Sequence, residues 1–229
     1  MTSTGKFPPH GIFNSEPAHN IFSKAVKLSR EFYGRSSLEV AEELLGKYLV
    51  RRSGEYAAAG KIVEVEAYCG ASDPASHAYR GKTSRNEVMF RQGGYLYVYF
   101  IYGMYYCCNI VTGKEDIAEA VLIRGIEPVF GLPWLSANRF GRTDATHREI
   151  MNLTNGPGKI CAAFDISMKD SGTDLCGDTI FLLDAPAPGK SQITVSGRIG
   201  ITRAAELPWR FFIRDNPYVS GPRNKNKIL

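Results

Sequence analysis

With 229 residues, 44% hydrophobic and 22% charged, the chain has the composition of a globular protein rather than a disordered or fibrous one. A chain of this length buries enough surface to fold without a disulfide or a metal, and it has no apolar run of about 18 residues, which excludes a transmembrane helix. The formal net charge of +5 suits a polyanionic partner without establishing one.

Five cysteines, Cys69, Cys107, Cys108, Cys161 and Cys176, form no CxxC or CxC pair, and residues 1–30 hold no apolar signal-peptide core. Reduced thiols, a cytoplasmic location and no structural zinc or iron–sulfur site are expected.

In chain order, residues 1–29 are rich in Gly, Pro, Ser and Asn and read as an irregular arm. Ser36 and Glu39 form a capping-box pair that opens a short helix, with Leu38, Ala41, Leu44 and Leu45 as its apolar face and Gly46 at its end. Residues 61–68 have the two-residue period of a strand. Val63, Val65 and Ala67 are expected to face the core, and Ile62, Glu64, Glu66 and Tyr68 the other side. A polar loop follows at 69–91 without evident secondary structure; loops that long are more often functional than idle. Residues 95–102, with four tyrosines, give the strongest strand; Gly103 and Met104 sit where a hairpin turns, and residues 106–112 return beside it. A charged turn at 113–119 leads into a strand at 120–126. Helices are predicted at 132–140 and from Pro157 to 164, and strands at 178–183 and 192–202. Short connections suit hairpins, and no linker marks a boundary. The elements therefore specify a single mixed α/β domain over 30–221 with a largely antiparallel sheet, followed by a basic tail at 222–229.

Several side chains could carry chemistry. Glu66, with Tyr68 on the same strand face, suits general-base work if a cleft raises its pKa; the alternative is an ordinary residue on a half-exposed strand. Arg124 follows the apolar run Val121-Leu122-Ile123, so it either lies on a wet face or pairs with an acid, Glu66 being a candidate. His77 can stack, donate a hydrogen bond or bind phosphate, or simply sit on the surface. Tyr95, Tyr97, Tyr99 and Tyr102 offer flat faces for bases beside a hairpin tip, or cross-strand packing. Arg80, Lys82 and Arg85 are either phosphate contacts or a solvated patch. Asn155-Gly156-Pro157-Gly158-Lys159 makes a tight turn into a helix but lacks the Walker pattern. The residues by themselves describe a basic α/β protein with an aromatic hairpin that acts on or binds nucleic acid.

The segments Gly60-Lys61-Ile62-Val63-Glu64-Val65-Glu66-Ala67-Tyr68, Asp73-Pro74-Ala75-Ser76-His77, Thr83-Ser84-Arg85-Asn86 and Tyr97-Val98-Tyr99-Phe100-Ile101-Tyr102-Gly103-Met104 resemble the alkyladenine (3-methyladenine) DNA glycosylase family of the mammalian type. So do Asn109, the run from Ala120 to Pro128, the glycine turn before Lys159, and the closing Arg210-Phe211-Phe212-Ile213-Arg214 with Tyr218-Val219-Ser220. The similarity runs from about residue 30 to 221. It implies an α+β fold, a single domain with a curved, largely antiparallel β-sheet flanked by short helices and a protruding β-hairpin.

By that resemblance, Glu66 is the base that activates water and Arg124 helps hold both. Tyr68, His77 and Tyr99 are the aromatic walls around an extruded base, and Asn109 disfavours guanine by opposing its 2-amino group. Tyr102 fills the gap left in the duplex, while Met104 and Tyr105 rest in the minor groove; Arg85 and Lys159 are expected DNA contacts. The implied partner is double-stranded DNA containing damaged purines, met by a monomer without cofactor, metal or membrane. Gly93, where a proline is common, and the Cys107-Cys108 pair depart from the family pattern away from the chemistry. Two other readings fit the residues: a non-catalytic nucleic-acid-binding module, and a hydrolase of free nucleosides or glycosides.

Overall fold

The computed structural model describes residues 25–221; the expected basic tail and nearly all of the expected N-terminal arm lie outside them. Among the described residues eight strands form one sheet whose main path runs β3-β4-β5-β2-β1-β6. These are β1 (Tyr48–Ser53), β2 (Tyr56–Tyr68), β3 (Leu96–Ile101), β4 (Tyr105–Thr112), β5 (Glu119–Phe130) and β6 (Ile180–Leu183). Two further strands, β7 (Ile193–Ser196) and β8 (Arg210–Ile213), pair with each other, and β8 joins β2. Every pairing is antiparallel. The mixed α/β, single-domain expectation holds.

Short helices pack on this sheet: α1 (Arg30–Tyr33), α2 (Ser37–Leu44), α3 (Leu132–Phe140), α4 (His147–Ile150) and α5 (Pro157–Ala163). Helix α2 begins where the capping box places it. Ser36 Oγ accepts from the Glu39 amide and Glu39 returns a carboxylate to the Ser36 amide, a pair worth roughly 1 kcal/mol. Its Val40, Ala41 and Leu44 are sealed in the main core with Leu49, Ile62, Val65 and Ile126. Helix α3 has the expected bounds, with a proline in its first turn and Gly141 closing it at φ 73°.

The central strand departs from simple alternation. Ile62 lies opposite Ile126, Glu64 opposite Gly125, and Val65 opposite Ile123. Val63 and Arg124 are thus the extra residues of two adjoining bulges, one on each strand. An extra residue reverses the parity of everything before it, so Ile62 joins Val65 and Ala67 in the main core instead of sharing the face of Glu66. Both Ile123 and Ile126 reach that core for the same reason, although three positions separate them.

Other boundaries also shift. The strand expected at 192–202 stops at Ser196. Gly197 then passes so close to the Ala205 carbonyl that a Cβ would lie 2.5 Å from its oxygen, and the chain leaves the sheet. Strand β5 runs on through Pro128 to Phe130, pairing with Ala59 and Gly60. The 69–91 loop contains two 3₁₀ turns, Gly70–Ser72 and Glu87–Phe90.

Candidate active site

Glu64, Glu66 and Tyr68 share one face of β2, as alternation from position 64 onward requires. That face is not half-exposed. Both carboxylates have no accessible surface, because the segments carrying Ile199 and Ser220 cover them. The alternative of Glu66 as a solvent-facing residue is thereby excluded.

Each carboxylate is held by specific donors. Glu66 Oε1 accepts from the Ile199 amide at 2.7 Å and faces Arg124 Nε at 3.3 Å. Its Oε2 takes longer contacts, from the Tyr68 hydroxyl at 3.0 Å and Arg124 Nη1 at 3.5 Å. Oε1 is therefore the anchored oxygen and Oε2 the looser one. Glu64 accepts from Arg210 Nε at 2.7 Å, Arg124 Nε at 3.3 Å and the Ser220 hydroxyl at 2.9 Å. The bulge is what turns Arg124 toward both acids. A third pair lies alongside: Asp73 and Arg198, both with fully buried side chains, joined through both carboxylate oxygens. Glu64, Glu66 and Asp73 face Arg124, Arg198 and Arg210, so the formal charges cancel.

Burial raises the Glu66 pKa above the ordinary carboxylate value, although Arg124 and the Ile199 amide pull the other way. Burial opposes the Arg124 charge, yet Glu66 and Glu64 carry its pKa above the usual one. An acid poised by burial beside a fixed cation can exchange a proton with a bound molecule at moderate pH.

A cavity of about 520 Å³ opens beside this cluster. Tyr68 and Arg124 line it, whereas Glu66 sits immediately behind them. His77, Tyr99 and Asn109 also line it. The His77 and Tyr99 ring centroids are 4.5 Å apart and nearly edge-to-face, so nothing fits between them. They form one wall of the cavity, which Tyr68 also lines.

His77 Nδ1 lies 2.9 Å from the Tyr97 hydroxyl. The residue lines the cavity and keeps much of its surface exposed, while partial burial of the ring, and then the Arg85 charge, hold its pKa below the ordinary value. Asn109 donates its amide to the Tyr97 carbonyl at 3.2 Å, which leaves its side-chain oxygen unclaimed by that bond. Cys107, two residues earlier on β4, also lines the cavity, and burial pushes its thiol up to about 11.

The hairpin rises at the cavity mouth. Tyr102 and Gly103 have φ of 54° and 68°, and the Met104 amide bonds back to the Ile101 carbonyl. Positive φ at both central residues is the type I′ arrangement that suits strand twist, and a non-glycine residue there is uncommon. Tyr102 is 75% exposed and Met104 64%. Tyr105 is also exposed, and its ring base rests on Gly158, where an added Cβ would meet it at 3.1 Å. Lys159 also lines the cavity and is bonded to Asn155. Arg139, which sequence reasoning did not single out, lines it too. Arg85 stays outside the cavity lining, exposed beside the hairpin, with its guanidinium near the Phe100 carbonyl at 3.4 Å.

Sequence reasoning also passed over Glu64, Asp73, Arg198, Ile199, Arg210 and Ser220 as parts of this centre. For Arg210 a signal existed. Like Arg124, it is a cation joined to an apolar strand, Phe211-Phe212-Ile213, and such a residue needs a buried partner. Among the described residues no group of three His, Cys, Asp or Glu side chains could hold a metal ion, and no helix is long and apolar enough to cross a membrane.

The model of the family Methylpurine-DNA glycosylase (MPG) matches residues 31–217. A protein of Clostridium novyi named "Putative 3-methyladenine DNA glycosylase" is 48% identical over 200 residues, covering 85% of this chain and 98% of its own. Relatives of the same name from Alkaliphilus oremlandii and Carboxydothermus hydrogenoformans are each 47% identical, over 201 and 194 residues. They cover 85% and 84% of this chain and 99% and 98% of their own. The chain belongs to the methylpurine-DNA glycosylase family.

Proposed function

We propose that the protein is a monofunctional DNA glycosylase that releases alkylated or deaminated purines from duplex DNA and leaves an abasic site. The reading rests on one observation above the others. A buried carboxylate, fixed by an arginine, lies directly behind two lining residues of an aromatic cavity large enough for a purine, next to an exposed aromatic turn.

The steps follow from these residues. A duplex hides the glycosidic bond, so the damaged nucleotide is rotated into the cavity at a cost of a few kcal/mol, and Tyr102 offsets part of that by stacking in the vacancy. Met104 and Tyr105 support the turn in the minor groove, while Lys159 and Arg85 contact backbone phosphates. The extruded base lies between Tyr68 on one side and the His77–Tyr99 wall on the other. A purine alkylated at N3 or N7 carries positive charge, which weakens its bond to the sugar and favours tyrosine faces. Asn109, at the edge of the slot, opposes the 2-amino group of guanine.

Glu66 then takes a proton from water through Oε2, the oxygen with the longer contacts, as the Arg124 and Tyr68 donors yield to the incoming molecule. The hydroxide adds to C1′ as the base departs with the bonding electrons; an alkylated, cationic purine leaves neutral, whereas a deaminated purine takes a proton at N7 as it leaves. The carboxylate also stabilises the oxocarbenium-like sugar. Among the described residues no lysine bonds to Glu66 or Arg124, and Lys159, which lines the same cavity, is held by Asn155 at 2.7 Å; water is therefore taken as the nucleophile and the strand is left uncut. We place the protein in the cytoplasm, acting as a monomer without a cofactor.

Base release from duplex oligonucleotides, each bearing one lesion, tests this directly. Wild type should free the damaged purine with multiple turnovers, and Glu66→Gln should bind the same duplex without freeing it. Near-normal single-turnover release by that variant would remove Glu66 from the role.

A further inference from the structure

Glu66 is oriented by more than Arg124. Its shortest hydrogen bond comes from the Ile199 amide, and the residue before Ile199 is Arg198. That guanidinium reaches three other parts of the site. Nη1 and Nη2 grip both oxygens of Asp73, with the Nη2 contact at 2.8 Å. Nη1 also donates to the Ala67 carbonyl at 3.0 Å, on the strand between Glu66 and Tyr68. The guanidinium carbon lies 4.6 Å from the Tyr68 ring centroid and 4.9 Å from that of Trp209.

Asp73 in turn accepts from the amides of Cys69 and Ala75, fixing the loop that carries His77. Two side chains, 125 residues apart in sequence and without any solvent-exposed surface, thus tie together three segments that wall the cavity. An ion pair buried this completely is costly to desolvate, and a fold alone would be served as well by apolar packing.

We propose that Asp73 and Arg198 are positioning residues for base release: the pair holds the Ile199 amide on Glu66 Oε1 and sets Tyr68 against the cavity, so that Oε2 is the oxygen left to take the proton. The inference rests on the glycosylase reading of Glu66. It concerns orientation, since neither side chain is among the residues lining the cavity.

The charged and titratable groups facing Glu66 are Glu64 and Tyr68 from its own strand, Arg124 from β5, Cys107 from β4 and Arg198 from the covering loop. Two donors to Glu66 depend on Arg198 for their position: the Ile199 amide, next to it in the chain, and the Tyr68 hydroxyl, whose ring lies under the guanidinium. An N–H donor favours the ionised carboxylate, so its loss raises the Glu66 pKa. Glu66 works ionised, and the acid limb of base release then moves to higher pH.

The test is single-turnover release of 7-methylguanine from a duplex, measured across pH for wild type, Arg198→Lys and Asp73→Asn, with duplex affinity and Tm alongside. That base already carries its positive charge, so the acid limb is not set by protonating the leaving group. Arg198→Lys keeps the cation but cannot hold both Asp73 oxygens and the Ala67 carbonyl in one plane. It should slow release about 10- to 100-fold, leave duplex affinity unchanged, and move the acid limb upward by about half a pH unit or more.

A pair that only stabilises the fold would lower Tm and scale the rate equally at every pH; an unmoved limb overturns the proposal. Asp73→Asn should move the limb in the same direction, and where it fails to fold Arg198→Lys decides. Wild type that releases base while Arg198→Lys matches it at every pH leaves the glycosylase reading intact and removes the positioning role. Wild type that releases no base overturns both.

Discussion

The acid cluster and the hairpin tip lie at two ends of one cavity and are built on opposite principles. Around Glu64 and Glu66 every carboxylate oxygen has a donor, and the donors come from strands and loops far apart in sequence. At the tip, Tyr102 and Met104 project with little covering them. The first region meets most of its cost of desolvation within the protein, with Arg198 Nε as the buried donor left unpaired. The second leaves apolar surface in water, as a surface proposed to meet DNA would. Charge that is held in one orientation is buried, and the surface assigned to a partner is left bare.

Substitutions can break this contrast, and the largest effect should fall on the buried side. Glu66→Gln keeps the shape and loses the base; single-turnover release should drop about 1,000-fold while lesion-duplex affinity survives. Next, Arg210→Met removes a partner of Glu64 and leaves its charge underpaired. Unfolding in urea should show a loss of about 3 kcal/mol, a change with no counterpart at the tip.

The pH dependence sharpens the same point. Since burial raises the Glu66 pKa, release should be present above that raised value and be lost as pH falls through it, with the limb lying above the ordinary carboxylate range. A limb at the ordinary value, read from a pH–rate profile, would mean that water reaches the carboxylate freely. On the exposed side, Tyr102→Ser should slow release from duplex DNA about 10-fold and affect a single-stranded substrate much less. Equal losses on both would argue against a wedge. Smallest of all, Met104→Ser should change stability by no more than about 0.5 kcal/mol, seen as an unmoved urea midpoint.

What the sequence disclosed follows this division. Local signals were sufficient where structure is local: the Ser36–Glu39 capping box, the bounds of α3, and the tyrosine-rich strand with its glycine turn. The shared face of Glu66 and Tyr68 also followed from period alone. The double bulge did not, because an inserted residue leaves no mark in a pattern of alternating side chains; it misled the side assigned to Ile62 and concealed how Arg124 reaches both acids. Nor did the covering of Glu64 and Glu66, which depends on Ile199 and Ser220, 133 and 156 residues away. The resemblance to known glycosylases supplied the roles proposed for His77 and Asn109, which spacing left open. It did not supply the ion pairs behind them.

Gly158 carries no side chain where α5 meets the foot of the hairpin, and Tyr105 occupies that space. Helix and hairpin foot therefore abut like two blocks laid without mortar. On the proposed reading, a hairpin seated this closely on its helix would leave the duplex to do the bending.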